Sequence, residues 1–189
     1  MNIRHFTLGI GMVLLLAGAG NSAEVKTKHV RCSFSATFVS GVETHLDTNG
    51  DGRSAGAHQG LENCNTGGFF FHEAAEFQAP IPPVTCPAGT LEFRIQQEHG
   101  VSTEEKSGDQ LFYEVATNEE TLCLNPSDFT FSFTAQGTIT SGTGQFTGAS
   151  GSFESQATGQ YLVTGEKEGV FGGFGQFSGT STKTLNISK

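Results

Sequence analysis

Ten residues, VRCSFSATFV from Val30 to Val39, constrain this chain more than any other stretch. Val30, Cys32, Phe34, Ala36 and Phe38 hold alternate positions, with Arg31, Ser33, Ser35 and Thr37 between them. Side chains of an extended strand point to opposite faces in turn, so this odd–even order predicts a strand with one buried face. The pattern returns along the chain. Phe129, Phe131, Phe133 and Ala135 alternate with Thr130, Ser132, Thr134 and Gln136 in a segment running to Thr140. Leu91, Phe93 and Ile95 alternate with Glu92, Arg94 and Gln96, and Leu111, Tyr113 and Val115 share a face although Phe112 breaks its polar side. Gln160 to Thr164 and Gly175 to Leu185 read as further strands. No long stretch has helical spacing, and Asn, Gly, Asp and Pro cluster between the apolar runs as turn residues do. The chain is therefore expected to be all-β, with antiparallel strands closed as a barrel or stacked as a sandwich. Two stretches read as irregular. Glu43 to Gly67 is expected to be a loop pinned by Cys64, and Ala79 to Pro87 carries prolines that cannot donate to a central ladder.

The first 23 of the 189 residues read as a secretory signal peptide. Arg4 and His5 precede an apolar run from Phe6 to Leu16, and small residues follow to Ala23. That run is shorter than the roughly 20 apolar residues of a membrane span, and no second one follows. Residues 24–189 then suit one exported domain, secreted or periplasmic. The formal charge of −9 and the scattered Lys and Arg exclude the basic patch that nucleic-acid binding demands. Cys32, Cys64, Cys86 and Cys123 are an even set in an exported chain, which predicts two disulfides. Three pairings are open. The absence of any CxxC spacing disfavours a zinc ribbon or redox motif.

Glycine punctuates the last third. GQFTGAS at Gly144 to Ser150 is nearly repeated by GQFSGTS at Gly175 to Ser181. Glycine permits bends and close strand approach, so each copy is expected to seat one large ring, Phe146 or Phe177, beside a corner of the sheet. The segment GTITSGTGQFTGASGSF, with Gly142, Gly144, Phe146, Gly148, Ala149 and Gly151, resembles the glycine-rich signature of allene oxide cyclase-like and dirigent-like barrels. Ser141 stands where that signature often has a first Gly, and the likeness covers Gly137 to Leu185. The resemblance implies a single antiparallel barrel of about eight strands with an apolar interior. It also implies an activity: guiding the cyclisation or coupling of an apolar substrate by shape. It brings no functional residues onto this chain, because the amino-terminal half does not align.

Three motifs bear on chemistry. In LDTNGDGRSAG, Asp47, Asn49 and Asp51 recur at every second residue, Gly52 follows, and Arg53 offers a carbonyl. These match the first half of a calcium loop, but the twelfth position is His58 and not Glu. Calcium is thus the one cofactor the sequence suggests, beside the reading of a polar turn. His45 and His58 flank that loop, where a transition metal is conceivable. HEAAE, His72 to Glu76, lacks the second His of a zinc protease. Read as a strand, it puts Glu73 on one face with Phe69, Phe71, Ala75 and Phe77. Glu73 is then either a barrel-interior carboxylate suited to acid–base work or a wet residue at a strand end. The 17 Phe either fill a core or line a cavity for a small apolar ligand. The sequence favours a non-catalytic exported module that binds such a ligand or is structural. An enzyme of the kind the resemblance implies, and a surface or adhesion protein, are the alternatives. An interior pocket with two or more ionisable groups would favour the enzyme.

Overall fold

The computed structural model describes residues 24–41, 55–167 and 170–188. Among these, the chain forms nine antiparallel strands and no α-helix. They are β1 (Val25–Gly41), β2 (Ala55–Cys64), β3 (Gly67–Phe77), β4 (Leu91–Glu104), β5 (Gln110–Val115), β6 (Glu120–Leu124), β7 (Thr130–Gly142), β8 (Ser150–Lys167) and β9 (Val170–Ser188). Neighbours run β3-β2-β1-β9-β8-β7-β5-β4, and a β3–β4 pairing closes this ring of eight. The ninth strand, β6, shares a place with β5. β5 pairs with the later part of β4 and the end of β7, whereas β6 pairs with Leu91–Arg94 of β4 and the start of β7. The expected all-β, eight-place barrel is what forms, and no described helix is long and apolar enough to cross a membrane.

The odd–even order carries through to three dimensions. Val30, Cys32, Phe34, Ala36 and Phe38 all point inward and are buried. They meet Phe71, Phe131, Ala157 and Phe177 in one core cluster, and Phe69, Leu111, Tyr113, Ile139 and Leu185 in another. Each inward Phe ring contributes roughly 1.5–3 kcal/mol by leaving water.

Three expectations need correction. Residues 55–64, expected in the loop Glu43 to Gly67, are a strand between β1 and β3. Its inward residues are Gly56, His58, Gly60, Glu62 and Cys64, so it has no apolar alternation to reveal it. Phe129 lies outside β7. It takes a left-handed backbone (φ 57°) and ends the turn begun by Asn125, whose carbonyl accepts its N–H. The two glycine copies also differ. The first is a corner, where Gly144 and Gly148 have φ of 54° and 73°, a 3-10 turn spans Gly144–Phe146, and Phe146 packs on Phe69 at the end of the barrel. The second runs straight through the middle of β9, paired on both sides, with Phe177 deep in the core. The difference follows from context: two ladders hold the second copy extended, whereas residues 144–149 of the first lie between β7 and β8 with no ladder partner.

Of the open pairings, Cys32–Cys64 and Cys86–Cys123 form. The first joins directly opposite residues of β1 and β2. The second ties the proline-rich connection to β6. That connection is also gripped by Glu92, whose side chain has no solvent exposure (0 %). One Glu92 oxygen accepts the backbone N–H groups of Val84, Thr85 and Cys86, and the other accepts from Arg94. Burial opposes its charge, but these donors outweigh that effect and hold its pKa at about 2.

Candidate functional site inside the barrel

One cross-strand row organises the interior. His58 on β2 lies opposite Glu73 on β3, Glu73 opposite Gly100 on β4, and Gly100 opposite Tyr113 on β5. Gly100 leaves its place in the row empty. A Cβ there would fall 2.3–2.5 Å from the Tyr113 ring and hydroxyl, so only glycine lets the phenol lie across β4. Tyr113 thereby reaches Glu73, donating its O–H to Oε1 at 2.6 Å. The other oxygen of Glu73, Oε2, lies 3.3 Å from His58 Nδ1. Of the two readings of Glu73, the interior one is what forms.

Two further carboxyls join this row, and sequence periodicity misses both. A β-bulge at Glu76/Phe77 pairs Gln97 and then Ile95 with successive residues of β3, skipping Gln96. The extra residue reverses the inside–outside order of β4. Phe93 and Ile95 face in before it, and Glu98, Gly100 and Ser102 face in after it. Glu98 consequently enters the core at 4 % exposure and hydrogen-bonds Glu120 from β6, also 4 % exposed. Burial, the charges of Glu73 and Glu120, and the proton it gives Glu120 push the Glu98 carboxyl well above the usual range. Burial also raises Glu120; the charge of His58 and the Glu98 hydrogen bond pull it back, leaving it at about 7. Burial first, then the Glu73 carboxylate, raises the Tyr113 phenol well above its ordinary value.

A second polar knot lies beside the first and is self-contained. Lys183 Nζ on β9 meets Glu62 Oε2 of β2 at 2.5 Å, Ser102 donates to the same oxygen at 3.2 Å, and Ser181 donates to Oε1 at 3.1 Å. Lys183 also stands 5.8 Å from the Phe69 ring centroid. One cation, one carboxylate and two hydroxyls satisfy each other there.

Between the polar groups lies a cavity of about 50 Å³, walled by Phe34, Phe71, Phe133, Phe153 and Phe177 and floored by His58, Glu73, Glu98, Glu120 and Tyr113. A second cavity of about 40 Å³, lined by Phe38, Phe77, Phe93, Phe131 and Tyr161, shares His58, Glu120, Phe133 and Phe177 with it. A single water needs at least roughly 10–15 Å³, so the first cavity has room for an ordered water or a small polar head. The second is lined mainly by rings and suits an apolar body.

The calcium-loop residues Asp47, Asn49, Asp51 and Arg53 lie outside the described residues, as does the expected signal peptide. The sequence position of His58 implies a place beside that loop; its ring instead faces the core, edge-on to Phe38 and Phe177. Among the described residues, two groups of side chains have metal-ligand proximity. Cys32, Glu62 and Cys64 form one, but its sulfurs are joined as a disulfide and offer no thiolate. His58, Glu73 and Glu98 form the other, with one ligand atom of each within 4.8 Å of the others. No family model matches the chain, and no curated protein is significantly similar to it.

Proposed function

We propose that this protein is an exported β-barrel that binds a small molecule in its interior and acts on it, as an enzyme of the allene oxide cyclase-like or dirigent-like kind. The observation that carries this reading is the convergence of His58, Glu73, Glu98, Tyr113 and Glu120, from five strands, on a cavity walled by phenylalanine. A purely structural barrel gains stability by closing its core with apolar side chains, because each buried ionisable group costs solvation. Retaining five of them around open space is the mark of a working site. The ligand class follows from the lining. An apolar body fits the Phe38/Phe77/Phe93 chamber, and a polar head meets the carboxyl groups next door. Glu73, held from two sides by Tyr113 and His58, is the best-positioned acceptor for a proton or hydroxyl of that head. The surrounding rings exclude water, so the substrate is held and shaped where side reactions with solvent are suppressed. Two disulfides in a chain with a signal-like start support export.

Native mass spectrometry of the protein purified from its own cells tests this reading. A co-purifying small compound, lost in the Glu73→Gln variant at unchanged melting temperature, is the expected result. A ligand-free mass from cells grown under several conditions, with Glu73→Gln behaving as wild type, would refute it.

A further inference from the structure

We infer that His58, Glu73 and Glu98 are ligands for one divalent first-row transition metal ion at the polar pole of the cavity. The inference deepens the small-molecule reading and rests on it, since the ion would sit where the ligand's polar head arrives.

The geometry comes from the register described above. His58 and Glu73 are direct cross-strand partners, and Glu98 is brought to the same side by the bulge at Gln96. Their nearest ligand atoms all lie within 4.8 Å of one another, and His58 Nδ1 is 3.3 Å from Glu73 Oε2. Nitrogen and oxygen ligands sit at about 2.0–2.2 Å from such an ion, so neighbouring ligand atoms fall roughly 3 Å apart and opposite ones about 4 Å. The widest separation in the triad, within 4.8 Å, exceeds the spacing of opposite ligands by less than about 1 Å. The cavity bordering all three side chains supplies the second, independent requirement: open positions for water or a substrate atom.

Charge points the same way. The groups facing this spot are the carboxyls of Glu73, Glu98 and Glu120, the Tyr113 hydroxyl and one imidazole. The nearby Lys183 is already committed to Glu62. Glu98 gives up the proton it holds against Glu120 when the ion binds, so the cation then faces two ligand carboxylates that balance its charge. One imidazole and two carboxylates form a borderline-to-hard donor set, which suits Mn²⁺, Fe²⁺ or Zn²⁺ better than thiolate-seeking ions. Tyr113 then acts as a positioning residue, because its O–H fixes the oxygen of Glu73 that does not face His58.

The test uses the full chain, oxidised and stripped by a chelator, titrated with Co²⁺ and followed by its visible d–d bands and by calorimetry. A parallel sample is refolded with Co²⁺ present, so that a closed barrel cannot hide the site. One equivalent should bind, with Zn²⁺ displacing it and Ca²⁺ failing to do so. His58→Gln and Glu98→Gln should each weaken binding by roughly 100-fold, and Tyr113→Phe by roughly 10-fold. Asp51→Asn, in the calcium-like sequence, should leave it unchanged. Absence of bound Co²⁺ at 1 mM by either route (roughly the weakest range of protein metal sites), or wild-type affinity in both His58→Gln and Glu98→Gln, would overturn the inference. So would loss of the site in Asp51→Asn. Melting curves of each variant identify any that fail to fold, and the two ligand variants change different strands. Co-purification of an organic compound is scored on metal-stripped protein, so either result can fail without the other.

Discussion

Gly100 fixes the position of Tyr113, and Tyr113 in turn helps fix Glu73. In Gly100→Ala the new methyl would meet the phenol at less than van der Waals distance. The ring must then leave the row or the strand must move, and overpacking of this kind costs about 1–3 kcal/mol. The expected outcome is a measurable loss in denaturant midpoint together with loss of whatever binding depends on Glu73. Gly100→Ala with unchanged midpoint would show that Tyr113 does not lie across the strand. Glu120→Gln makes a complementary case. It removes a carboxyl held at about 7 by burial, while keeping its shape and a donor for neighbouring oxygens. The variant should be more stable than wild type at pH 8 and show a flatter dependence of melting temperature on pH between 4.5 and 7.

Which residues were legible follows from local rules. Glu73 stood out because it interrupts an apolar alternation in Phe69–Phe77. Glu98 did not, because one extra residue at Gln96 reverses the face count, and a bulge leaves no hydropathy signal. The inward placement of His58 and Glu62 was hidden because that side of their strand is built from glycine and polar residues, which reads as loop.

At the scale of elements, β2 has little apolar support on its inward side and is held covalently to β1. Cys32–Cys64 anchors its end to β1 across a sequence separation of 32. Replacing both cysteines with alanine should cost about 2–5 kcal/mol, read as a shifted chemical denaturation midpoint. Because β2 carries His58 and Glu62, the site should loosen before the rest of the barrel does. The Ala79–Pro87 connection shows the converse. Its irregular character was legible from its prolines, but its anchor was not. Glu92 sits on a strand whose pattern assigns it to the solvent face, yet the connection folds over it and donates three N–H groups. Glu92→Ala should release that segment, detected as rapid proteolysis between Ala79 and Thr90 with the barrel left intact; Glu92→Gln keeps the shape and should protect it partly.

Across the whole molecule, opposite pKa shifts set an unusual stability profile. Glu98 and Glu120 bind protons more tightly in the native barrel than in the unfolded chain. Stability from such groups is complete below the unfolded value of 4.5 and is lost as pH rises toward the native one. For Glu120 alone, raised to about 7, the loss is on the order of 3 kcal/mol. Glu92 and Asp128 are shifted the other way, so their contribution is present above their unfolded values and fades as pH falls through the native ones. The metal-free protein should therefore be most stable near pH 4–5 and melt several degrees lower at pH 8. A maximum at neutral pH would contradict the buried carboxyl pair.

The shared place of β5 and β6 in the ring has a mechanical meaning. Everywhere else the wall is one strand continuous from rim to rim, but here two short pieces of six and five residues meet end to end. Such a joint is the cheapest part of the staves to part, and Tyr113 and Glu120 hang on its two sides. If the interior takes up a small molecule, this joint is where the wall would open for it, and the Cys86–Cys123 bridge would tether one of its two pieces as it parts.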